Sequence, residues 1–199
     1  MSELFIELFS EEVPAKLQIK AREQLKEILS NFFEQHSVKY KGEIRIFSTP
    51  NRIAINAKGL PKEVLFKSKE VKGPSINAPD KALDGFLNSN QINKNKIYKK
   101  KTEKGEFYFY KKPQKKISLY NMLRENLPHI LFKITWEKSM KWGEHTLLWG
   151  RPLKSILSIF DGKKLEFDFK HLKSSNLTFI EKDIEEKTKP FNNLSLIHI

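Results

Sequence analysis

Lysine-rich segments that contain aromatic residues are the part of this sequence best suited to chemistry. Lys94–Lys101 holds five lysines around Tyr98, and Lys111–Lys116 holds four directly after Phe107–Tyr110. A third basic segment, Lys133–Lys141, includes a tryptophan. Lysine supplies positive charge to phosphates, and aromatic rings stack on unpaired bases. These segments therefore predict RNA binding, although solvated hairpin ends would have the same composition.

The scarce arginines are further candidates. Of 37 basic residues only five are arginine, and Arg52 and Arg151 each lie close to a proline of a predicted turn. Their guanidinium groups could grip phosphate, or could hold a loop by pairing with an internal carboxylate. Trp142 and Trp149 are expected to anchor the core or a turn. The full set of candidate nucleic-acid contacts is Arg52, Lys99, Lys100, Lys101, Lys138, Lys141 and Arg151.

The sequence carries no pattern typical of a catalytic or metal site. It lacks cysteine, the glycine-rich phosphate-binding loops and the G-x-S-x-G pattern of a nucleophilic serine. Glu11 and Glu12 are adjacent and point apart, so they suit the positive end of a helix dipole better than acid–base catalysis. The histidines are dispersed, at His36, His129, His145, His171 and His198. We expect no catalytic residue, no metal and no cofactor in this chain.

The formal net charge of +13 and the pI of about 9.7 favour polyanionic partners. A composition rich in lysine and poor in arginine also results from an AT-rich genome, so the charge alone leaves a binding face and codon bias both open. We expect neither a secretory signal nor a membrane span, which needs ~20 consecutive apolar residues. The absence of cysteine suits a reducing, cytoplasmic location.

Periodicity predicts the elements that must position these residues. Leu4–Phe9 is a buried strand, and apolar residues at helical spacing follow from Pro14 to about His36. Ile44–Ile46 and Ile53–Ala57 predict a hairpin-like pair. The remaining predictions are a strand at Val64–Val71, a loop at Lys72–Pro79, a helix capped by Asp80, strands at Ile97–Tyr98 and Phe107–Tyr110, a helix capped by Ser118 and kinked or divided at Pro128, and a hairpin of Leu153–Phe160 with Leu165–Phe169 across Asp161-Gly162. The mixed order predicts an α+β fold, with mostly antiparallel sheet and packed amphipathic helices.

Short segments spread along the chain form a recognisable series. They are LFIELFSEEVP at Leu4–Pro14, STPNRIA at Ser48–Ala54, KGP at Lys72–Pro74, GEFY at Gly105–Tyr108, and KSMKWG with WGRPLK at Lys138–Gly143 and Trp149–Lys154. In this order they resemble the beta subunit of the bacterial heterotetrameric glycyl-tRNA synthetase. Phe9, Asn51 and Trp149 depart from the family pattern, in which glycine, arginine and phenylalanine are usual.

The resemblance implies a division of labour between two subunits. The holoenzyme, an alpha2beta2 heterotetramer, is a glycine–tRNA ligase that joins glycine to tRNA(Gly) with ATP. The alpha subunit carries the catalytic core, so ATP and Mg²⁺ are implied for the holoenzyme through that subunit. The beta subunit supplies tRNA binding and alpha–beta assembly. This chain is then expected to have no catalytic site of its own.

The resemblance covers residues 1–179, which we interpret as the N-terminal region of a longer beta subunit in a truncated reading frame. Residues 180–199 are expected to be a disordered or artefactual tail, because Leu194–Ile199 resembles a translated sequencing adapter. Two alternatives stay open: a free-standing basic RNA-binding module without enzymatic role, and a purely structural scaffold. Lysines that converge on one face favour RNA binding, and scattered lysines favour the scaffold.

Overall fold

The computed structural model of the chain describes residues 1–66, 68, 70–102, 105–179 and 188–190. The helices there are α1 (Ala15–Gln35), α2 (Asp80–Asn90) and α3 (Leu119–Phe132), with a short 3-10 helix at Lys94–Lys96. The strands are β1 (Ser2–Ser10), β2 (Ile44–Thr49), β3 (Arg52–Leu60), β4 (Glu63–Phe66), β5 (Glu70–Ser75), β6 (Ile97–Thr102), β7 (Gly105–Lys111), β8 (Lys115–Ser118), β9 (Leu153–Phe160), β10 (Lys163–Lys164), β11 (Asp168–Phe169), β12 (Leu172–Lys173), β13 (Leu177–Phe179) and β14 (Thr188–Pro190). The predicted α+β class with antiparallel sheets is confirmed. Within the described ranges, no helix is both long and apolar enough to cross a membrane.

The chain forms two compact units. Unit 1 comprises Met1–Val64 and the chain from Ile117 onward, and unit 2 comprises Leu65–Lys116. Unit 2 is therefore inserted in the sequence of unit 1. The sequence boundaries between the two units fall within β4 and within β8. These two strands pair with each other as a two-stranded sheet.

Unit 1 is built on a five-stranded sheet in the order β10-β9-β1-β3-β2. β1 is central because it is apolar on both faces: Leu4 and Ile6 on one face, and Phe5 and Phe9 on the other, are all buried. Both of its neighbours run antiparallel to it, and the register with β3 places Phe9 opposite Arg52. The predicted buried strand and the predicted hairpin of β2 with β3 are confirmed.

The two helices of unit 1 each bury one apolar stripe. α1 follows Pro14 and contacts β2 and α3. Pro128 lies inside α3, which nevertheless continues to Phe132, so the predicted division of this helix is wrong. Three apolar side chains on either side of the proline are buried, those of Leu127, Ile130 and Leu131. Burial of each stabilises the folded chain by about 1.5–3 kcal/mol. That burial offsets the backbone hydrogen bond that the proline removes.

The turn between β9 and β10 is formed by Asp161 and Gly162, both with positive φ, at 53° and 75°. Two such residues make the type I′ turn that suits the twist of a hairpin, as predicted. The second strand of this hairpin is β10, Lys163–Lys164, so the predicted strand Leu165–Phe169 is wrong: only Asp168–Phe169 is strand, as β11, and it pairs with β12. Ser174 engages the backbone of the residues between β10 and β11. Its hydroxyl accepts the N–H of Phe167 at 2.8 Å and donates to the carbonyl of Leu165 at 2.9 Å.

Unit 2 consists of a three-stranded antiparallel sheet, in the order β5-β7-β6, with α2 on one face. The predicted single strand Val64–Val71 is wrong, because the chain changes partner: β4 pairs with β8 and β5 pairs with β7. The predicted loop at Lys72–Pro79 is partly strand for the same reason. Asp80 is the first residue of α2 and Pro79 holds the cap position, without a side-chain capping bond.

Ser118 holds the cap position of α3, as predicted, but its hydroxyl makes no capping hydrogen bond. At the other end of the described chain, β13 pairs antiparallel with β14. Thr178 on β13 donates its hydroxyl to Glu7 of β1 at 2.6 Å. The rest of the predicted tail, residues 180–187 and 191–199, lies outside the described residues, so the disordered or artefactual tail stays a prediction.

Candidate nucleic-acid interface

The positive charge of the chain is concentrated in unit 2. Its 52 residues contain 14 lysines and no arginine against five acidic residues, which gives a formal charge of +9. Unit 1 carries only the remaining +4 of the total of +13. A uniform compositional bias would spread the excess over the whole chain, so the local concentration favours a basic surface with a role.

The register of the β5-β7-β6 sheet sorts its side chains into two faces, because residues directly opposite each other share a face. Val71, Tyr110 and Ile97 are opposite one another and lie on the face covered by α2. The other face, called here the lysine–aromatic face, carries Glu70, Lys72, Tyr98, Lys100, Phe107, Phe109 and Lys111. Three aromatic rings and three lysines thus share one surface of a short sheet.

The rings and ammonium groups of the lysine–aromatic face are in direct contact. The rings of Tyr98 and Phe109 are stacked, with centroids 6.2 Å apart and planes inclined by 26°. The Nζ of Lys72 lies 3.5 Å from the centroid of the Phe107 ring, and that of Lys100 lies 5.4 Å from Phe109. Such cation–π contacts hold the ammonium groups over the sheet. Tyr98 is 37% exposed, whereas Phe109, opposite it on β7, is buried.

Glu70 ties two of these side chains together. It accepts hydrogen bonds from the Tyr98 hydroxyl at 2.7 Å and from the Lys100 ammonium at 2.8 Å. The Lys100 ammonium, followed by the Tyr98 hydroxyl, holds the pKa of Glu70 below its ordinary value. The same carboxylate raises the pKa of Tyr98 and of Lys100. Lys100 therefore stays charged at neutral pH, and the Tyr98 ring is held in a fixed position.

The structure separates the predicted lysine triplet. Lys100 lies on the lysine–aromatic face opposite Phe107. Lys99 and Lys101 point to the other side of the sheet, opposite Tyr108 and Glu106. All three residues are candidate contacts from the sequence, but side chains alternate along a strand, so only Lys100 lies with the aromatic cluster.

Comparison with known proteins identifies the family. The sequence model described as "Glycyl-tRNA synthetase beta subunit" matches residues 4–195, a range that extends beyond residue 179. The chain belongs to the glycyl-tRNA synthetase beta subunit family. Proteins named "Glycine--tRNA ligase beta subunit" from Rickettsia conorii and Rickettsia bellii are 39% and 40% identical to it over 179 residues. Those residues are 90% of this chain but 27% of each relative, so the chain spans about a quarter of their length.

Membership of the beta subunit family does not favour the alternatives left open by the sequence. A free-standing module and a pure scaffold are both less favoured than a part of a synthetase subunit. The family-like segments of the sequence fall on both units. STPNRIA includes the turn between β2 and β3 in unit 1, whereas KGP and GEFY lie on β5 and β7 in unit 2.

Arg52 in this beta-subunit chain pairs with an internal carboxylate. Its Nε lies 3.4 Å from Glu7, and its guanidinium lies 4.8 Å from the centroid of the Phe9 ring. The side chain of Glu7 is only 12% exposed and also accepts the hydroxyl hydrogen bond from Thr178. Of the two roles considered for Arg52, the internal pairing is the one that the geometry shows.

Arg151, Lys138 and Lys141 lie in the loop that joins α3 to β9, which belongs to unit 1. Arg151 donates to the carbonyl of Gly150 at 3.1 Å. Lys138 and Lys141 are exposed and flank Met140, whose backbone pairs with that of Trp149. Their role in nucleic-acid binding stays a prediction, and the structure does not bring them together with Lys99, Lys100 or Lys101 in one unit.

Of the two tryptophans predicted as anchors, Trp149 is buried and Trp142 is half-buried. Trp149 is 2% exposed and packs on Trp136 with ring centroids 5.2 Å apart. The loop is tied to α1, because Gln24 of the helix exchanges hydrogen bonds with Thr135 and Lys20 pairs with Glu137. Trp142 lies edge-on to His171, whose ring stacks on His145 at 3.7 Å. No cluster of three or more metal-ligating side chains occurs among the described residues.

Sequence reasoning missed Glu70, Lys72, Phe107 and Phe109 as members of one surface. A signal for them exists, because Tyr98 and Lys100 alternate on one predicted strand and Phe107 and Phe109 on the other. Their register could not be read from composition, and Lys72–Ser75 of β5 falls within the predicted loop. The pairing of β5 with β7 is what places Lys72 and Glu70 on this face.

Proposed function

We propose that this chain is the N-terminal part of the beta subunit of a heterotetrameric glycyl-tRNA synthetase. In this proposal it supports tRNA(Gly) binding and alpha–beta assembly, while the alpha subunit carries out the ATP- and Mg²⁺-dependent glycylation. Family membership over residues 4–195 carries the proposal. The charge of +9 on unit 2 supports the part that concerns tRNA.

The division of roles is tested by glycine-dependent exchange of pyrophosphate into ATP. The purified 199-residue chain should show no exchange, because its sequence contains neither phosphate-cradling loop. Added alpha subunit should permit exchange, owed to alpha alone. Exchange by the chain without alpha would contradict the proposal, as would failure of the chain to associate with alpha in a pull-down.

The tRNA part is tested by titrating tRNA(Gly) and an unrelated tRNA against the chain at several salt concentrations. Lysine contacts with phosphates release counterions, so the logarithm of affinity should fall linearly with the logarithm of salt, with a slope near about −0.9 for each duplex phosphate contacted. We expect little discrimination between the two tRNAs, because lysine contacts with phosphates carry no sequence information. A selective complex that is insensitive to salt would contradict this mode of binding.

A further inference from the structure

The lysine–aromatic face of unit 2 has the components of a surface for unpaired nucleotides. Its residues alternate along the strands with those covered by α2, so they lie on the side of the sheet opposite that helix. Tyr98 is 37% exposed at its surface, and Phe107 beside it is half-buried. A flat, exposed ring on a sheet offers a stacking platform that every base can use.

The charges of this face suit a polyanion rather than an apolar partner. Lys72, Lys100 and Lys111 surround the rings, with Glu70 as the acidic residue of the face. Glu70 is engaged with Tyr98 and Lys100, and unit 2 as a whole carries +9. Charge complementarity therefore selects an occupant rich in phosphate, and the rings select one with exposed bases.

We propose that the lysine–aromatic face binds a single-stranded segment of RNA, with a base stacked on Tyr98 and phosphates held by Lys72 and Lys100. This inference rests on the proposed function, since it names the site and the class of RNA structure through which unit 2 acts. The Phe107 ring becomes a second platform when Lys72, now 3.5 Å from its centroid, swings from the ring to a phosphate. Duplex RNA keeps its bases stacked inside and cannot use either ring.

The test measures binding of the full 199-residue chain to a labelled oligouridylate of about 12 nucleotides, a length within the site size of stacking surfaces. Tyr98→Phe keeps the ring and should keep the affinity. Tyr98→Leu keeps an apolar side chain without a ring, and should weaken binding at least about fivefold, as loss of one stacked base does. Heparin, which has charge but no bases, should bind Tyr98→Leu and the unchanged chain alike.

The two sides of the sheet provide a charge-matched control for the lysines. Lys72→Ala with Lys100→Ala removes two charges from the lysine–aromatic face, and Lys99→Ala with Lys101→Ala removes two from the opposite side of the sheet. The first pair should weaken oligouridylate binding more than the second. Thermal melting of each variant confirms that it is folded before its affinity is compared.

Several outcomes would overturn the inference. Equal affinities of the Tyr98→Leu and Tyr98→Phe variants for oligouridylate would contradict the stacking of a base on Tyr98. The proposed role of the chain in tRNA binding would remain intact. If the two double-lysine variants lost oligouridylate affinity equally, RNA binding could not be assigned to the lysine–aromatic face. If Tyr98→Leu instead weakened only the association with the alpha subunit, the face would be a protein-docking surface. No RNA binding by the unchanged chain would overturn both the inference and the tRNA part of the proposed function.

Discussion

Arg52 shows at the residue scale how a candidate phosphate ligand serves the fold instead. It neutralises Glu7, a carboxylate that is only 12% exposed at the centre of the main sheet. Removing one partner of such a pair leaves the other charge poorly solvated. Arg52 is therefore expected to contribute to stability before it contributes to binding.

Replacing Arg52 with methionine should lower the free energy of unfolding by about 1–3 kcal/mol, because the largely buried Glu7 loses the cation that pairs with it. The measurement is urea denaturation followed by circular dichroism. Arg45→Met is the matched control on the neighbouring strand, since Arg45 pairs with Glu43 where both side chains are mostly exposed. The control should change stability by less than about 0.5 kcal/mol. Equal effects of the two substitutions would contradict the internal role of Arg52.

Glu166 makes a contribution to the stability of the fold that depends on pH. Lys164 and Lys173 donate hydrogen bonds to it at 2.7 and 2.6 Å and lower its pKa from 4.5 to about 2. A depressed folded-state pKa gives stability that is present above the unfolded value of 4.5 and is lost as pH falls toward about 2. Glu166→Gln should therefore lose stability relative to the unchanged chain at pH 6, and the difference should shrink between those two pKa values. A difference that stays constant down to pH 2 would refute the pairing.

The loop between α3 and β9 illustrates packing at the scale of an element. Gly150 lies against Trp136 so closely that an added Cβ would be 2.4 Å from the indole ring. The backbone must approach the ring at this point, which gives the WGRP segment a structural reason for its glycine.

Gly150→Ala should consequently destabilise the chain by about 1–3 kcal/mol, as overpacking of a well-filled site does. Gly85→Ala is the contrasting variant, because Gly85 lies within α2 and nothing would lie within 4 Å of its added Cβ. That substitution should stabilise the chain by up to about 1 kcal/mol through helix propensity. Thermal melting distinguishes the two signs, and a stabilising Gly150→Ala would show that the loop packs differently.

The elements with strong local periodicity were predictable from the sequence. α1, the β2–β3 hairpin and the Asp161-Gly162 turn depend on signals within a few residues of one another. The break between β4 and β5 has no such signal, because it is caused by two strands that choose different distant partners. The predicted division of α3 at Pro128 failed for the opposite reason: the signal is local, but long-range burial of the neighbouring apolar residues overrides it.

The candidate site was predictable in composition but not in arrangement. Lysines among aromatics were visible as a pattern, yet the side of the sheet occupied by each lysine depends on strand register. Lys99, Lys100 and Lys101 are equivalent in the sequence and differ only after β6 is paired with β7. Arg52 was equally ambiguous, because its partner Glu7 is 45 residues earlier in the chain and meets it only across β1 and β3.

At the scale of the whole molecule, the large apolar core and most of the excess positive charge belong to different units. Unit 1 holds the large apolar core, which includes β1, α1 and α3, and is close to neutral for its length at +4. Unit 2 is small, is inserted in the sequence of unit 1 and holds +9. This distribution is what a scaffold with an added polyanion-binding unit would show, and it follows from the residues without reference to the family.

The most direct test of this account is lysine footprinting with and without tRNA(Gly). The full chain is acetylated briefly, and the protection of each lysine is quantified by mass spectrometry. We predict that bound tRNA protects the lysines of unit 2, with Lys72, Lys100 and Lys111 protected more than Lys99 and Lys101. Protection shared evenly between unit 1 and unit 2, or confined to unit 1, would contradict the claim that unit 2 is the RNA-binding part of this chain.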